Sequence, residues 1–177
     1  MPLSLLELMP NSFSTCCTYL QKAASVSDPV ERMKLVMAVS ISFMLPNQGF
    51  EKPLNPVLGE TYQAVCGDGT VVYMEQTSHH PPISSFLLEA PDGAYTISGW
   101  SGGSIWAGLN NATWTSSGFK KIVFRDGQTI TFNPANDYFY NTFMGTLGHQ
   151  MQGTVDFVDE KNDIKGTYTF GCIKRQY

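Results

Sequence analysis

Apolar residues change their spacing once along the chain, close to Pro46. Before that point they recur every three or four positions, as on the buried face of a helix. After it they fall into short runs rich in Val, Ile, Thr, Tyr and Phe, as in strands. Residues 3–9 make a turn or two of helix ending before Pro10. Asn11 or Ser12 then caps a second helix to about Ala24, with Phe13, Cys16, Cys17 and Leu20 facing a core. Asp28 followed by Pro29 and Glu31 is a strong start signal for a third helix. Its core face carries Met33, Val36, Met37, Ile41 and Met44, and the absence of charge between Lys34 and Glu51 predicts that it is covered on most sides.

Beyond residue 46, turn signals recur about every ten residues: Gly67-Asp68-Gly69, Pro91-Asp92-Gly93, Asn110-Asn111, Arg125-Asp126-Gly127 and Glu160-Lys161-Asn162-Asp163. They separate predicted strands at 61–66, 70–77, 83–90, 94–100, 103–109, 112–117, 119–125, 128–133, 150–158 and 164–170. A meander of that length curls or closes. The expected fold is mainly β with N-terminal helices, an antiparallel meander forming a complete or incomplete β-barrel. Residues 1–177 read as one domain, helical over 1–45 and β over 46–177, with no linker between the parts.

Composition narrows the function. With 15% charged residues and a net charge of −4, the chain has no basic face for nucleic acid or for an anionic membrane. An anion site would have to be local. The four cysteines show no C-x-x-C spacing, and reduced thiols of a cytoplasmic protein are expected. The apolar stretch from Leu35 to Leu45 is too short to span a bilayer.

Two segments stand out chemically. Residues 75–82 read Glu-Gln-Thr-Ser-His-His-Pro-Pro. Each proline fixes its own φ and biases its predecessor towards extended geometry, so His79 and His80 are presented on a stiffened strand end. Imidazole nitrogens can donate hydrogen bonds and carry charge near neutral pH, which suits phosphate. Upstream, Lys52-Pro-Leu-Asn-Pro-Val-Leu-Gly-Glu places an ammonium and the Asn55 amide on one ordered loop.

Together these segments resemble the oxysterol-binding protein family, whose signature is matched at seven of the eight positions of 75–82; Thr77 stands where Val is commoner. The resemblance implies a β-barrel around an apolar lipid tunnel that holds a sterol or phosphatidylinositol 4-phosphate. It implies that Lys52, Asn55, His79 and His80 contact a phosphorylated headgroup, and that the protein meets membranes transiently and peripherally. Phe86, Leu88, Ile97, Trp100, Ile105 and Trp106 are candidates for the tunnel wall. Relative to the family domain, a lid before the helices and a C-terminal part bearing further headgroup cations are expected to be absent.

Other chemistries fit less well. Adjacent strand residues point to opposite faces, so His79 and His80 are badly placed to chelate one metal ion. His149 lies in a separate segment. Ser78 precedes His79 but sits in no nucleophile elbow, and Glu60 and Glu75 have no recognisable partner as bases. No enzyme activity, cofactor or metal is expected. Trp100, Trp106 and Trp114 read as core or wall residues, Lys120-Lys121 as solvent-facing charge, and Gly99, Gly102, Gly103 and Gly108 as bulges or bends. Two functions follow: non-vesicular lipid transfer between membranes, or a lipid sensor or fragment that does not shuttle cargo.

Overall fold

The computed structural model describes residues 3–43 and 53–171. Two helices come first, α1 (Leu5–Ser25) and α2 (Pro29–Ser42). Nine strands follow: β1 (Thr61–Val65), β2 (Val71–His79), β3 (Pro82–Glu89), β4 (Tyr95–Ala107), β5 (Asn111–Phe124), β6 (Thr129–Phe132), β7 (Asn136–Tyr140), β8 (Gly148–Asp159) and β9 (Ile164–Phe170). Every strand pairing is antiparallel. β1 and β9 lie at opposite ends of the sheet and are not paired with each other. The meander is therefore a partial ring, and the barrel does not close among the described residues.

The predicted break at Pro10 does not occur. Ser4 and Glu7 form a reciprocal capping box, and α1 runs through the proline without interruption. The apolar stripe supplies the reason: Leu6, ahead of Pro10, is as fully buried as Cys16 and Leu20 beyond it. Burying that continuous face outweighs one missing backbone hydrogen bond. Asp28 caps α2 as predicted, its Oδ1 accepting from the N–H groups of Val30 (2.8 Å) and Glu31 (2.9 Å). Coverage of α2 is one-sided, however. Met33, Val36 and Val39 are buried while Ile41 is exposed, because its outer face meets no element among the described residues. Met44 and Pro46 lie outside the described residues.

Two predicted strand pairs are single long strands. β4 passes through Gly102-Gly103 and β5 through Gly118 with unbroken register, Ser101 opposite Gly118 and Gly103 opposite Ser116. These glycines mark close backbone approach, not strand ends. A Cβ on Gly103 would lie 2.6 Å from the Thr115 carbonyl oxygen, and one on Gly118 would lie 2.0 Å from that of Trp100. β7 lies where no strand is expected from the sequence and pairs with both β5 and β8. The kink at Asn133-Pro134 lets the chain cross from one half of β5 to the other.

One sheet face carries the core. Its register lines up Met74, Phe86, Gly99, Lys120, Phe132, Phe157 and Gly166 across seven strands. The helices fill this inner face: Phe13 meets Phe86 with ring centres 5.4 Å apart, and Phe43 meets Phe132 at 6.4 Å. Buried Arg32 fastens the far side. It donates to the Ala23 carbonyl (3.0 Å), Asp126 Oδ2 (2.6 Å) and Gln128 Oε1 (2.7 Å), and its guanidinium lies 4.6 Å above the Phe124 ring centre.

Candidate functional site

His79 ends β2 opposite Pro82, and His80 with Pro81 forms the two-residue hairpin turn into β3. The two imidazole rings lie 4.6 Å apart at 63°, and the His80–Pro81 peptide is cis. His79 is half-buried and His80 exposed. The Nδ1 of His79 is buried without a hydrogen-bond partner. Buried polar atoms are almost always paired, so this unpartnered atom is an exception that calls for a partner.

Polar contacts beneath the turn hold it in place. Ser84 donates to Gln76 Oε1 (2.6 Å), Gln76 Nε2 donates to the Ser78 carbonyl (2.8 Å), and Ser78 donates to the Pro81 carbonyl (2.7 Å). The pairing slips between Gln76 and Ser78, so Thr77 occupies a bulge, and its hydroxyl meets that of Ser85 at 2.9 Å. The hydroxyl that distinguishes this motif from the commoner Val thus ties the bulge to β3.

The upstream loop is pinned at both ends. The Leu54 N–H donates to the Leu3 carbonyl (2.9 Å) and the Leu5 N–H to the Leu54 carbonyl (3.0 Å). At its other end, the Gly59 N–H donates to the Gln76 carbonyl and the Gln76 N–H to the Glu60 carbonyl, both at 2.9 Å. Glu60 accepts from Ser4 Oγ (2.6 Å) and the Val57 N–H (3.0 Å), and these bonds pull its carboxyl below the usual range. Its role is to tie the loop to the start of α1. Asn55 is exposed on this loop and makes no hydrogen bond among the described residues. Lys52 lies outside the described residues.

The wall candidates divide by strand parity. Phe86, Leu88 and Ile97 are buried on the inner face. Trp100 and Trp106 have the opposite parity and lie on the outer face, Trp100 against Phe119. Ile105 shares the inner parity but lies beyond the helices and is exposed. Trp106 is exposed too, so neither tryptophan faces the inner side of the sheet.

Three polar groups escaped the sequence reading. Lys120 is not solvent-facing charge: it has the parity of Ile122 and Phe124, and that alternation was the available signal. Its ammonium stands 5.5–6.0 Å from the ring centres of Phe43, Phe86 and Phe132, and burial pulls it down to about 8. Lys121 does face solvent. On the same inner face, His149 Nε2 and Asp137 Oδ1 are 2.8 Å apart, and burial raises the Asp137 carboxyl despite that bond. Cys17, Cys66 and Asp68 converge within 4.8 Å. Asp68 is already engaged by Gln21 (2.9 Å) and Thr70 (3.0 Å), and burial pushes the Cys66 thiol up to about 12. No sequence spacing marks that cluster.

Comparison with known proteins places the family and the fold. The family model for "Oxysterol-binding protein" matches residues 1–175. Oxysterol-binding protein 9 of Dictyostelium discoideum is 37% identical over 164 residues, 91% of this chain and 38% of its own length. Mouse oxysterol-binding protein-related protein 1 is 34% identical over 96% of this chain and 18% of its own. Among solved structures, the Osh1 ORD domain in complex with cholesterol superposes with a TM-score of 0.82 at 25% identity, over 90% of this chain and 39% of that one. The Osh3 ORD in complex with PI(4)P from Saccharomyces cerevisiae shares the fold at 0.79 and 23% identity, over 90% and 43%. The chain thus spans less than half the length of the relatives it matches. No helix among the described residues is long and apolar enough to cross a membrane. By its family-model match and its curated relatives, the chain belongs to the oxysterol-binding protein family.

Proposed function

We propose that this chain carries the headgroup-reading part of a lipid-binding and transfer domain, taking a sterol or phosphatidylinositol 4-phosphate as ligand, working in the cytoplasm and touching membranes transiently. The observation that carries the reading is the unpartnered, buried Nδ1 of His79 beside an exposed His80, on a turn braced by Gln76, Ser78 and Ser84. A protonated or tautomerically matched imidazole pair donates charge-assisted hydrogen bonds to phosphate, and a braced turn lowers the ordering cost of binding. Strand direction supports Asn55 as a third contact. β1 begins, and β2 ends, at the same end of the sheet, so the Asn55 loop and the His turn share that end. Lys52 is assigned by its motif alone. None of this arrangement calls for catalysis.

The test uses this chain with vesicles containing or lacking phosphatidylinositol 4-phosphate. His79→Ala with His80→Ala should abolish phosphoinositide uptake and leave sterol uptake intact. Unchanged phosphoinositide uptake removes the headgroup assignment. Uptake of lipid without delivery to acceptor vesicles would favour the sensor reading.

A further inference from the structure

Two turn tips of the sheet expose apolar side chains and carry no charged residue. Leu109, on the β4–β5 turn, is 97% exposed, and Phe143 and Met144, on the β7–β8 loop, are 84% and 70% exposed. Asn110 clamps the two tips together. Its Oδ1 accepts from the N–H groups of Phe143 (2.9 Å) and Met144 (2.8 Å), its Nδ2 donates to the Met144 carbonyl (3.0 Å), and its own carbonyl accepts from the Thr142 N–H (3.3 Å). The backbone that carries Phe143 and Met144 is therefore tied to the β4–β5 turn.

Charge is absent from the segments that build the tips. No Asp, Glu, Lys or Arg occurs between Asp92 and Lys120, or between Asp137 and Asp156, in a chain of net charge −4. Strand direction also decides where the tips lie. β2 ends, β4 ends and β7 ends at one end of the sheet, so the tips share the end that carries the His turn. β4 continues past Gly102, the partner of Ile83, to Ala107, which carries the tip about 17 Å further along the strand.

From these observations we propose that Leu109, Phe143 and Met144 form a membrane-insertion tip that enters the interface of a bilayer with little surface charge. An acidic chain is repelled by anionic lipid, and an uncharged apolar tip with Trp106 beneath it suits the interfacial zone of a zwitterionic bilayer. Further strands of a longer chain would add at the open edges, β1 and β9, along the hydrogen-bonding direction, and would leave turn tips uncovered. A second copy meeting these few side chains would fall short of the roughly 800 Å² per partner of a stable interface. The proposal rests on the lipid-binding reading for its purpose, yet it fails separately from it.

The experiment measures binding of this chain to phosphatidylcholine vesicles that hold no phosphoinositide, by sedimentation and by quenching of tryptophan fluorescence with brominated lipid. The chain should bind, with quenching, and adding salt or anionic lipid should not strengthen binding. Leu109→Ser with Phe143→Ser should weaken partitioning by at least about tenfold, since each side chain contributes transfer free energy on that order. Circular dichroism unchanged in the double variant shows that the fold is kept. The tip variant should still bind a water-soluble, short-chain phosphatidylinositol 4-phosphate, which separates failure of the tip from failure of the headgroup site. Absence of binding, binding that needs anionic lipid, or undiminished binding by the tip variant would each overturn the proposal. A dimer in solution abolished by the tip substitutions would overturn it in favour of a contact between copies.

Discussion

The ammonium of Lys120 stands 5.5 Å from the ring centre of Phe43, joining the middle of the longest strand to the end of α2 across the inner face of the sheet. Phe86 and Phe132 complete the enclosure at 6.0 and 5.9 Å. No carboxylate pairs with this lysine among the described residues, so cation–π attraction is its compensation for lost hydration.

That environment gives stability a pH dependence. Burial lowers the folded-state value from 10.5 to about 8, so the folded form releases its proton before the unfolded form does. The cost is therefore complete below pH 8, shrinks between 8 and 10.5, and vanishes above. Lys120→Met should stabilise the chain by roughly 3 kcal/mol at pH 7 and by much less near pH 10. Urea melts at the two pH values check this, and an equal gain at both would sink it.

Arg32 bridges the C-terminal end of α1 to the β5–β6 turn through bonds to Ala23, Val26, Asp126 and Gln128. Arg32→Lys keeps the charge but cannot reproduce the planar fork. It should cost about 2–3 kcal/mol in chemical denaturation, because buried Gln128 and the two carbonyls lose donors. A loss under 0.5 kcal/mol, the size of a surface effect, would contradict the bridging role.

Two glycines of one cross-sheet row should respond differently to alanine. At Gly99 the new Cβ would meet the Phe119 carbonyl oxygen at 2.1 Å, a backbone atom that cannot step aside. At Gly166 it would meet Met37 Sδ at 2.7 Å, the far part of a flexible side chain. Gly99→Ala should cost more than about 3 kcal/mol, as overpacking against rigid neighbours does, and Gly166→Ala about 1. The order of their melting temperatures is the readout.

Asn110→Ala removes the side-chain bonds that tie the β4–β5 turn to residues 143–144. Hydrogen exchange at the Phe143 and Met144 amides should accelerate about tenfold or more, in line with a local loss of 1–2 kcal/mol. The global unfolding midpoint should hardly move, since both loops are exposed.

His149→Ala should destabilise more at pH 7 than at pH 4. Burial raises the Asp137 carboxyl and the His149 bond opposes that rise, so removing the ring leaves a desolvated carboxylate wherever Asp137 is ionised. Protonating Asp137 at lower pH relieves that cost. Denaturation of variant and parent at both pH values decides it.

Local features were legible from the chain alone. The Asp28 cap, the turns at Gly67-Asp68-Gly69 and Arg125-Asp126-Gly127, and the alternation through Phe86, Leu88 and Ile97 each depend on a few neighbouring residues. The motif around His79 and His80 was likewise written in consecutive positions. For the same reason, residues 102–103 and 118 misled: a glycine looks identical at a strand end and at a close approach between strands, and only the facing backbone tells the two apart.

Tertiary structure decided what depends on distant partners. Pro10 sits inside a helix because Leu6 and Phe13 share one buried face. Lys120 is enclosed because Phe43, Phe86 and Phe132, far apart in sequence, arrive at one place on the sheet. His149 meets Asp137 across β7 and β8, and Asn110 holds Met144 from a different turn. The sequence by itself determined the family, the change from helices to an antiparallel meander and the His motif, since local propensity and motif chemistry suffice for these. Which side chains are enclosed, and which apolar tips are left bare, was decided only when register and helix placement fixed the neighbours, because burial is a property of the surroundings and not of the residue.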